Sequence, residues 1–427
     1  MVHCLAMETN EFTNMRSLLV ALAKSMNLVN PEVEHHHEQT AYLSYFLAKE
    51  SGLPEDDQLL ALYGATRHDI GSVITERALS ISEVERRGPE IAASGARMVA
   101  DLPGFDELAT VIGFSQYAWS EYVKCDDAGC AIDDRLMRIA SIVHLADTVS
   151  LAVRANEPIL NQAKAICDFV KRRAGTEYCP HAVESLLALS GTEYVWMDLA
   201  HNPQFLLYFT GDIAPVSLQE TVQYTRFASR IIDYRSPFTA MHSAGVAASA
   251  RELALLAGFD DEDVVQMEIA GNLHDIGKLA VPRKILEKPG RLTDAEFNIV
   301  KEHPYYTALV LLDAKGFDKI GKWASHHHEK INGRGYPFHL EGDEIGLGER
   351  IMAVADIFSA ITEERPYRKG MTRDEASNVL LQDVQAGAIC SSVVEMLLDN
   401  YERIDAARDE ASRSAGQRYF DSMALAS

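Results

Sequence analysis

Seven residues in the second half of the chain offer nitrogen or oxygen donors suited to a metal ion: His242, His274, Asp275, His303, His327, His328 and Asp356. No thiolate is among them, and a mixed His and carboxylate set suits iron, manganese, zinc or nickel. One ion needs about four protein ligands. The larger set matches two ions that share a bridging carboxylate, and Asp275, beside His274, is the expected bridge. Two metals about 3.5–4 Å apart are a standard device for in-line displacement at phosphorus. The nearby basic residues fit that chemistry. Lys278 lies one turn past His274, within reach of a phosphate oxygen, and Arg365 and Arg368, in "RPYR", follow Asp356. Arginine presents a planar fork matched to phosphate. Gly333 and Gly335, in "HHHEKINGRGYP" (326–337), let the backbone pass close to a ligand.

These side chains are scattered over more than a hundred positions, so helices must gather them. "VAASARELALLAGF" (246–259) places Val246, Leu253, Ala254 and Ala257 on one face and stops at Gly258. "DDEDVVQMEIAGNLHDIG" (260–277) opens on four acids, which favour a helix N-terminus. Its apolar positions Val265, Ile269, Leu273 and Ile276 keep helical spacing, which puts His274 and Asp275 at the end of a buried helix. Strand signals are scarce, and the expected fold class is all-α.

At about 150 residues per domain, 427 residues allow two or three domains. Turn breakers in "NPQFLLYFTGDIAP" (202–215), followed by the capping-box pattern Ser217 to Glu220, place a boundary near 213. The halves then share a register. His36, Leu47, Gly52 and "HDIG" at 68–71 recur 206 positions later as His242, Leu253, Gly258 and "HDIG" at 274–277. A whole register repeated at one offset points to a duplicated fold. The net charge of −23 excludes a surface that coats a nucleic acid polymer, which needs a basic footprint. The six cysteines form no CxxC pair. There is no signal-peptide pattern and no apolar run of about 18 residues, so a cytoplasmic protein without a membrane span is expected. A two-fold homodimer is the base-rate assembly.

In their order, "HDIGK", "KEHP", "HHHEKINGRGYP" and "AVADIFSAITEERPYRKGMT" resemble the successive motifs of the HD-GYP family, over roughly residues 235–385. The resemblance implies a helical bundle and a metal-dependent phosphodiesterase that opens a cyclic dinucleotide, c-di-GMP or 3′,3′-cGAMP. It implies the same seven metal ligands, with Lys278, Arg365 and Arg368 on phosphate and Asp275 and Lys278 as catalytic residues. Two divalent ions, iron or manganese ahead of nickel or zinc, would activate a bridging water by drawing its pKa towards about 7. Hydroxide then attacks phosphorus in line with the 3′-oxygen and leaves a linear dinucleotide with a 5′-phosphate. The chain departs from the family at two places. Asn332 stands where the family has Asp before the turn, which is not a ligand position, so activity should survive. Phe238 stands where some members bind a third metal through Glu, which leaves a two-metal site.

The first half keeps His36, His68, Asp69 and Asp147, the minimal ligand set of the wider HD superfamily. It has Ser72 in place of Lys278, no histidine between His68 and His144, and no GYP turn; the matching region reads roughly "TVIGFSQYAW" (110–119). Two tandem HD-superfamily bundles follow: residues 1–213 as a degenerate HD domain for regulation or dimerisation, and residues 214–427 as the phosphodiesterase domain. His35, His36 and His37 read as a solvated run with only His36 a candidate ligand, and the polar tail after 405 as a frayed helix. The tandem layout resembles the 3′,3′-cGAMP-hydrolysing members. The competing readings are a non-catalytic cyclic dinucleotide receptor and a mononuclear phosphohydrolase, which leaves His303, His327 and His328 unexplained.

Overall fold

The computed structural model describes residues 12–14, 35–74, 81–100, 104–127, 133–154, 156–201, 215–235, 237–312, 316–364 and 369–424. These fall into two compact units, one drawn from residues 22–211 and one from 212–425 together with the segment that carries Phe12–Asn14. Both are helical. The strands among the described residues are β1 (Phe12–Asn14) and β2 (Pro215–Ser217), paired antiparallel with Thr13 opposite Val216.

The first unit contains α1 (His36–Glu50), α2 (Glu55–Ala65), a 3₁₀ turn (Ile70–Ile74), α3 (Ile81–Ala100), α4 (Asp106–Phe114), α5 (Trp119–Asp127), α6 (Asp134–Ala152), α7 (Ile159–Lys171), α8 (Pro180–Leu189) and α9 (Glu193–His201). Helices α1 and α6 lie at its centre and pack on each other and on α2. That placement overturns the solvated reading of the first histidine run. His35 is exposed, but His36 and His37 open a helix whose residues are buried nearly all round. Burial there follows from the fold, because α1 is enclosed rather than amphipathic.

The second unit contains α10 (Leu218–Arg235), α11 (Pro237–Leu256), α12 (Asp261–Leu273), a 3₁₀ turn (Ile276–Ala280), α13 (Arg283–Leu286), α14 (Asp294–Val300), α15 (His303–Leu312), α16 (Asp318–Ser325), α17 (Leu347–Thr362), α18 (Arg373–Gln385), α19 (Ser391–Asp399) and α20 (Tyr401–Ala424). The expected start signals operate. Ser217 and Glu220 exchange the reciprocal bonds of a capping box before α10, and Asp260 accepts from the Asp263 amide at 2.8 Å to cap α12. Helix α11 ends as expected, with Gly258 in the left-handed region at φ 80°.

Helix α11 is the axis of this unit and packs against α12, α17 and α20. Its apolar residues Val246, Leu253 and Ala254 are fully buried, as are Leu273 of α12 and Ile351 of α17. Each large aliphatic among them contributes roughly 1.5–3 kcal/mol. The tail is not a frayed helix: α20 lies along α11, and Ser412 Oγ donates to the Met241 carbonyl at 2.9 Å. Its polar composition hid this contact. Gly245 of α11 lets it approach, since a Cβ there would meet Ser412 Oγ at 2.7 Å.

Candidate metal centre

All seven expected donors come together. His274 caps the C-terminus of α12 and Asp275 follows in the bend to the 3₁₀ turn. His303 opens α15, and His327 and His328 lie just beyond α16. His242 comes from α11 and Asp356 from α17. One local device prepares three of the imidazoles. Nδ1 of His274, His303 and His327 lies 2.7 Å from the carbonyl oxygen three residues back, of Gly271, Val300 and Ala324 respectively. Nδ1 donates to that carbonyl, so Nε2 carries the lone pair and faces inwards.

The inward atoms form two groups. In the first, His242 Nε2 is 3.0 Å from Asp356 Oδ1, and His274 Nε2 is 3.2 Å from Asp275 Oδ2 and 4.0 Å from Asp356 Oδ1. In the second, His303 Nε2 is 3.3 Å from Asp275 Oδ1 and 3.1 Å from His327 Nε2. His327 Nε2 lies 4.0 Å from Asp275 Oδ1, and His328 Nδ1 lies 3.8 Å from Asp356 Oδ2. Ligands about 2.1 Å from a common ion stand about 3.0 Å apart when at right angles and about 4.2 Å apart when opposite. The observed separations span that interval. His274 Nε2 and Asp275 Oδ1 are buried without a hydrogen-bond partner, which a cation between the groups would satisfy. The donor set therefore fits divalent metal. Asp275 turns one oxygen to each group, as does Asp356.

The electrostatics agree. Burial pushes His303 down to about 3 and His327 down to about 4, so both imidazoles are neutral. Burial acts against ionising Asp275, but its interactions with His274 and Lys278 outweigh it and hold the carboxyl well below its ordinary range. Burial also opposes charge on His242, yet its bonds to Asp356 and Glu363 raise it to about 9. In the metal-free chain these shifts set a pH optimum of stability. His303 and His327 resist protonation when folded, so stability falls as pH drops below about 6.5, where the unfolded chain gains protons. His242 has the opposite sign: its stabilisation is complete below about 6.5 and disappears as pH rises through about 9. Thermal unfolding in chelator is expected to show its highest Tm near pH 6.5, with a decline on both sides.

Lys278 donates to Asp275 Oδ2 at 2.5 Å, so in this arrangement its ammonium rests on the shared carboxylate. Arg365 and Arg368 lie outside the described residues, and the Phe238 side chain does too. His326 points elsewhere, with its ring 5.3 Å from that of Phe338. The turn after His328 is held by a residue the motif reading left without a role. Glu329 is buried and accepts from the amides of Phe338 at 2.7 Å and Leu340 at 3.0 Å. Gly335 passes so close that a Cβ would lie 2.4 Å from Glu329 Cα. Asn332 sits outside the cluster, where Oδ1 accepts from the Arg334 amide and Nδ2 donates to the Ala386 carbonyl. Two further supporting residues carry no sequence signal. Glu363 lies 3.6 Å from His242 Nδ1, and Thr307 Oγ accepts from the Gly277 amide and donates to the His274 carbonyl.

The helical bundle and this centre define the class. Residues 226–387 match the HD domain family model. The chain is similar to a 3′3′-cGAMP-specific phosphodiesterase 1 of Vibrio cholerae, 26% identical over 91% of this chain and 92% of that protein. It is 38% identical to the 3′3′-cGAMP-specific phosphodiesterase 3 of the same organism over 42% of this chain and 41% of that one. It is also 46% identical to a cyclic di-GMP phosphodiesterase of Pseudomonas aeruginosa over 33% of this chain and 34% of the relative. Among solved structures, a cyclic GMP-AMP-specific phosphodiesterase of V. cholerae (V-cGAP3) shares the fold at TM-score 0.59 and 22% identity, covering 92% of this chain and 97% of the other. No described helix is long and apolar enough to cross a membrane.

Proposed function

We propose that the chain is a metal-dependent phosphodiesterase that opens a cyclic dinucleotide to a linear dinucleotide with a 5′-phosphate, with 3′,3′-cGAMP preferred over c-di-GMP. The supporting observation is the pair of donor groups spanned by Asp275 and Asp356. His242, His274, Asp275 and Asp356 would hold one divalent ion, and Asp275, His303, His327 and His328 the other. Iron or manganese is favoured, with nickel or zinc compatible with the same donors. Such ions supply Lewis acidity and a water acidic enough to act near neutral pH. Around them, the Nδ1 bonds of His274, His303 and His327 hold those three imidazoles in their ligand tautomer ahead of substrate. Lys278 is positioned to pass from Asp275 to a phosphoryl oxygen and stabilise charge there, and Arg365 and Arg368 are assigned the same role by the family motif. Tyr336, its ring tilted against that of His328 with centroids 4.8 Å apart, gives the centre an aromatic wall.

The preference for 3′,3′-cGAMP draws support from the relative of that specificity, which this chain matches along nearly its whole length. A cytoplasmic site of action accompanies this reading. The test is anaerobic purification, metal quantification, and product analysis with 3′,3′-cGAMP, c-di-GMP and c-di-AMP side by side. Linear product with the metal-loaded chain is expected, fastest from 3′,3′-cGAMP. Tight binding without turnover under Mn²⁺ or Fe²⁺ would instead make the chain a receptor.

Among its described residues the first unit shows no second donor group, and we assign it a regulatory or dimerising role. Residues 214–427 alone should therefore differ from the full chain in assembly state or in the response of turnover to ligand, as read by light scattering and kinetics. Identical behaviour would remove that role.

A further inference from the structure

A row of three rings leads from the candidate metal centre towards solvent. His328, whose Nδ1 lies 3.8 Å from Asp356 Oδ2, is the first. The Tyr336 ring tilts against it at 37°, with centroids 4.8 Å apart. Phe297 of α14 meets Tyr336 edge to face, at 6.3 Å and 81°. Both spacings fall in the range that aromatic pairs prefer, about 4.5–7 Å. Exposure rises at the end of the row: Tyr336 is half-buried, and Phe297 is 45% exposed. The Lys301 ammonium lies 5.5 Å from the Phe297 centroid and steadies that ring through a loose cation–π contact.

The helix that carries Phe297 is held by polar contacts. None of the seven residues of α14 is buried. Thr293 and Glu296 exchange the bonds of a capping box, and Lys288 Nζ donates to Glu296 Oε2 at 2.5 Å. A phenylalanine on a surface helix ordinarily turns its ring into the core, where burial rewards it. This ring instead leaves much of its surface in water, beside a tyrosine packed on one of the seven donors. Such a position suits a ligand that brings a flat apolar face of its own.

We propose that Phe297 and Tyr336 form a stacking subsite for one purine base of the cyclic dinucleotide, with Phe297 as its outer ring. The subsite rests on the reading above that places a phosphodiester of this ligand at the donor groups. The base is joined to that phosphorus through a single ribose, so it settles beside the walls of the centre, and on the His328 side the wall is aromatic. Every base has a π face, so stacking binds without selecting between guanine and adenine. Discrimination between the two is left to hydrogen bonds elsewhere.

The test compares Phe297→Ala, Phe297→Leu and Phe297→Trp in the full metal-loaded chain. Steady-state kinetics on 3′,3′-cGAMP and c-di-GMP are read beside equilibrium binding of the hydrolysis-resistant bis-phosphorothioate of 3′,3′-cGAMP. Phe297→Ala is expected to raise KM and the analogue Kd about 10- to 100-fold, the worth of one stacked base, and to do so alike for both substrates. Metal content should hold, and kcat should change far less than KM. Phe297→Trp should restore binding, and its added indole emission should respond to the analogue. Phe297→Leu keeps the apolar bulk without the π face and should not restore binding. Leu255→Ala trims another exposed side chain, roughly 20 Å along α11 from His242, and should change none of these values. A Phe297→Ala chain that binds the analogue like wild type would overturn the proposal. So would rescue by leucine equal to rescue by tryptophan, or loss of metal in Phe297→Ala, which would make the ring a prop for Tyr336 and His328. A wild-type chain that binds the analogue but opens neither substrate would sink the phosphodiesterase reading alone, and the Phe297→Ala Kd would still decide the subsite. A wild-type chain that binds no cyclic dinucleotide would sink both.

Discussion

Asp275→Ala is expected to lose both metal ions proposed for the second unit and to lower turnover by at least about 10³-fold. Charge stabilisation by a metal pair is worth several kcal/mol, and each ~1.4 kcal/mol is tenfold in rate. Asp275 is the side chain whose two oxygens lie 3.2 Å from His274 and 3.3 Å from His303, so its removal withdraws one donor from each group at once. It also withdraws the partner of Lys278. His274→Ala should be less complete, since it strips only the first group and leaves His303, His327 and Asp275 in place. Metal quantification beside steady-state turnover separates the two variants. Asp275→Ala retaining its metal, or either variant retaining full turnover, would end the two-group assignment.

Gly277→Ala is expected to cost roughly 1–3 kcal/mol of stability through overpacking, and about 100-fold or more in activity, although alanine adds one methyl and touches no ligand. The reason lies in the backbone. A Cβ at this position would sit 2.0 Å from the His303 carbonyl oxygen, so the 3₁₀ turn and α15 must part by an ångström or more. That motion moves Asp275 away from His303, across the contact that joins the two donor groups. It also breaks the bond from the Gly277 amide to Thr307, whose hydroxyl in turn holds the His274 carbonyl. Activity should fall more than stability, as read by comparing kcat with the denaturation midpoint. A Gly277→Ala chain with wild-type kcat would show that the turn and helix can shift without disturbing the donors.

Helix identity and limits were legible in the sequence where local chemistry sets them. The four acids before α12, the capping box before α10 and Gly258 after α11 each satisfy or release backbone groups within a few residues, so composition carries the signal. The donor types were legible too, because few buried helical proteins place so many imidazoles and carboxylates in such an order. Other features stayed hidden. The polar tail became a packed helix because Gly245 and Ser412 solve the contact with small groups rather than with apolar area. His37 proved buried because α1 is enclosed on all sides, which a pattern of three consecutive polar residues does not reveal.

The sequence by itself determined the chemistry on offer: two halves in one register, seven nitrogen and oxygen donors in the second, and four in the first. Only the tertiary structure decided how those donors divide. Asp275 and Asp356 each turn one oxygen to each group. Glu363, Thr307 and Glu329 gained their roles only once distant backbone came within hydrogen-bond reach. In the first unit, Gln116 meets Asp147 across 31 positions of chain. Such contacts depend on where helices cross, and crossing points are set by packing among many side chains at once, not by any short run of residues.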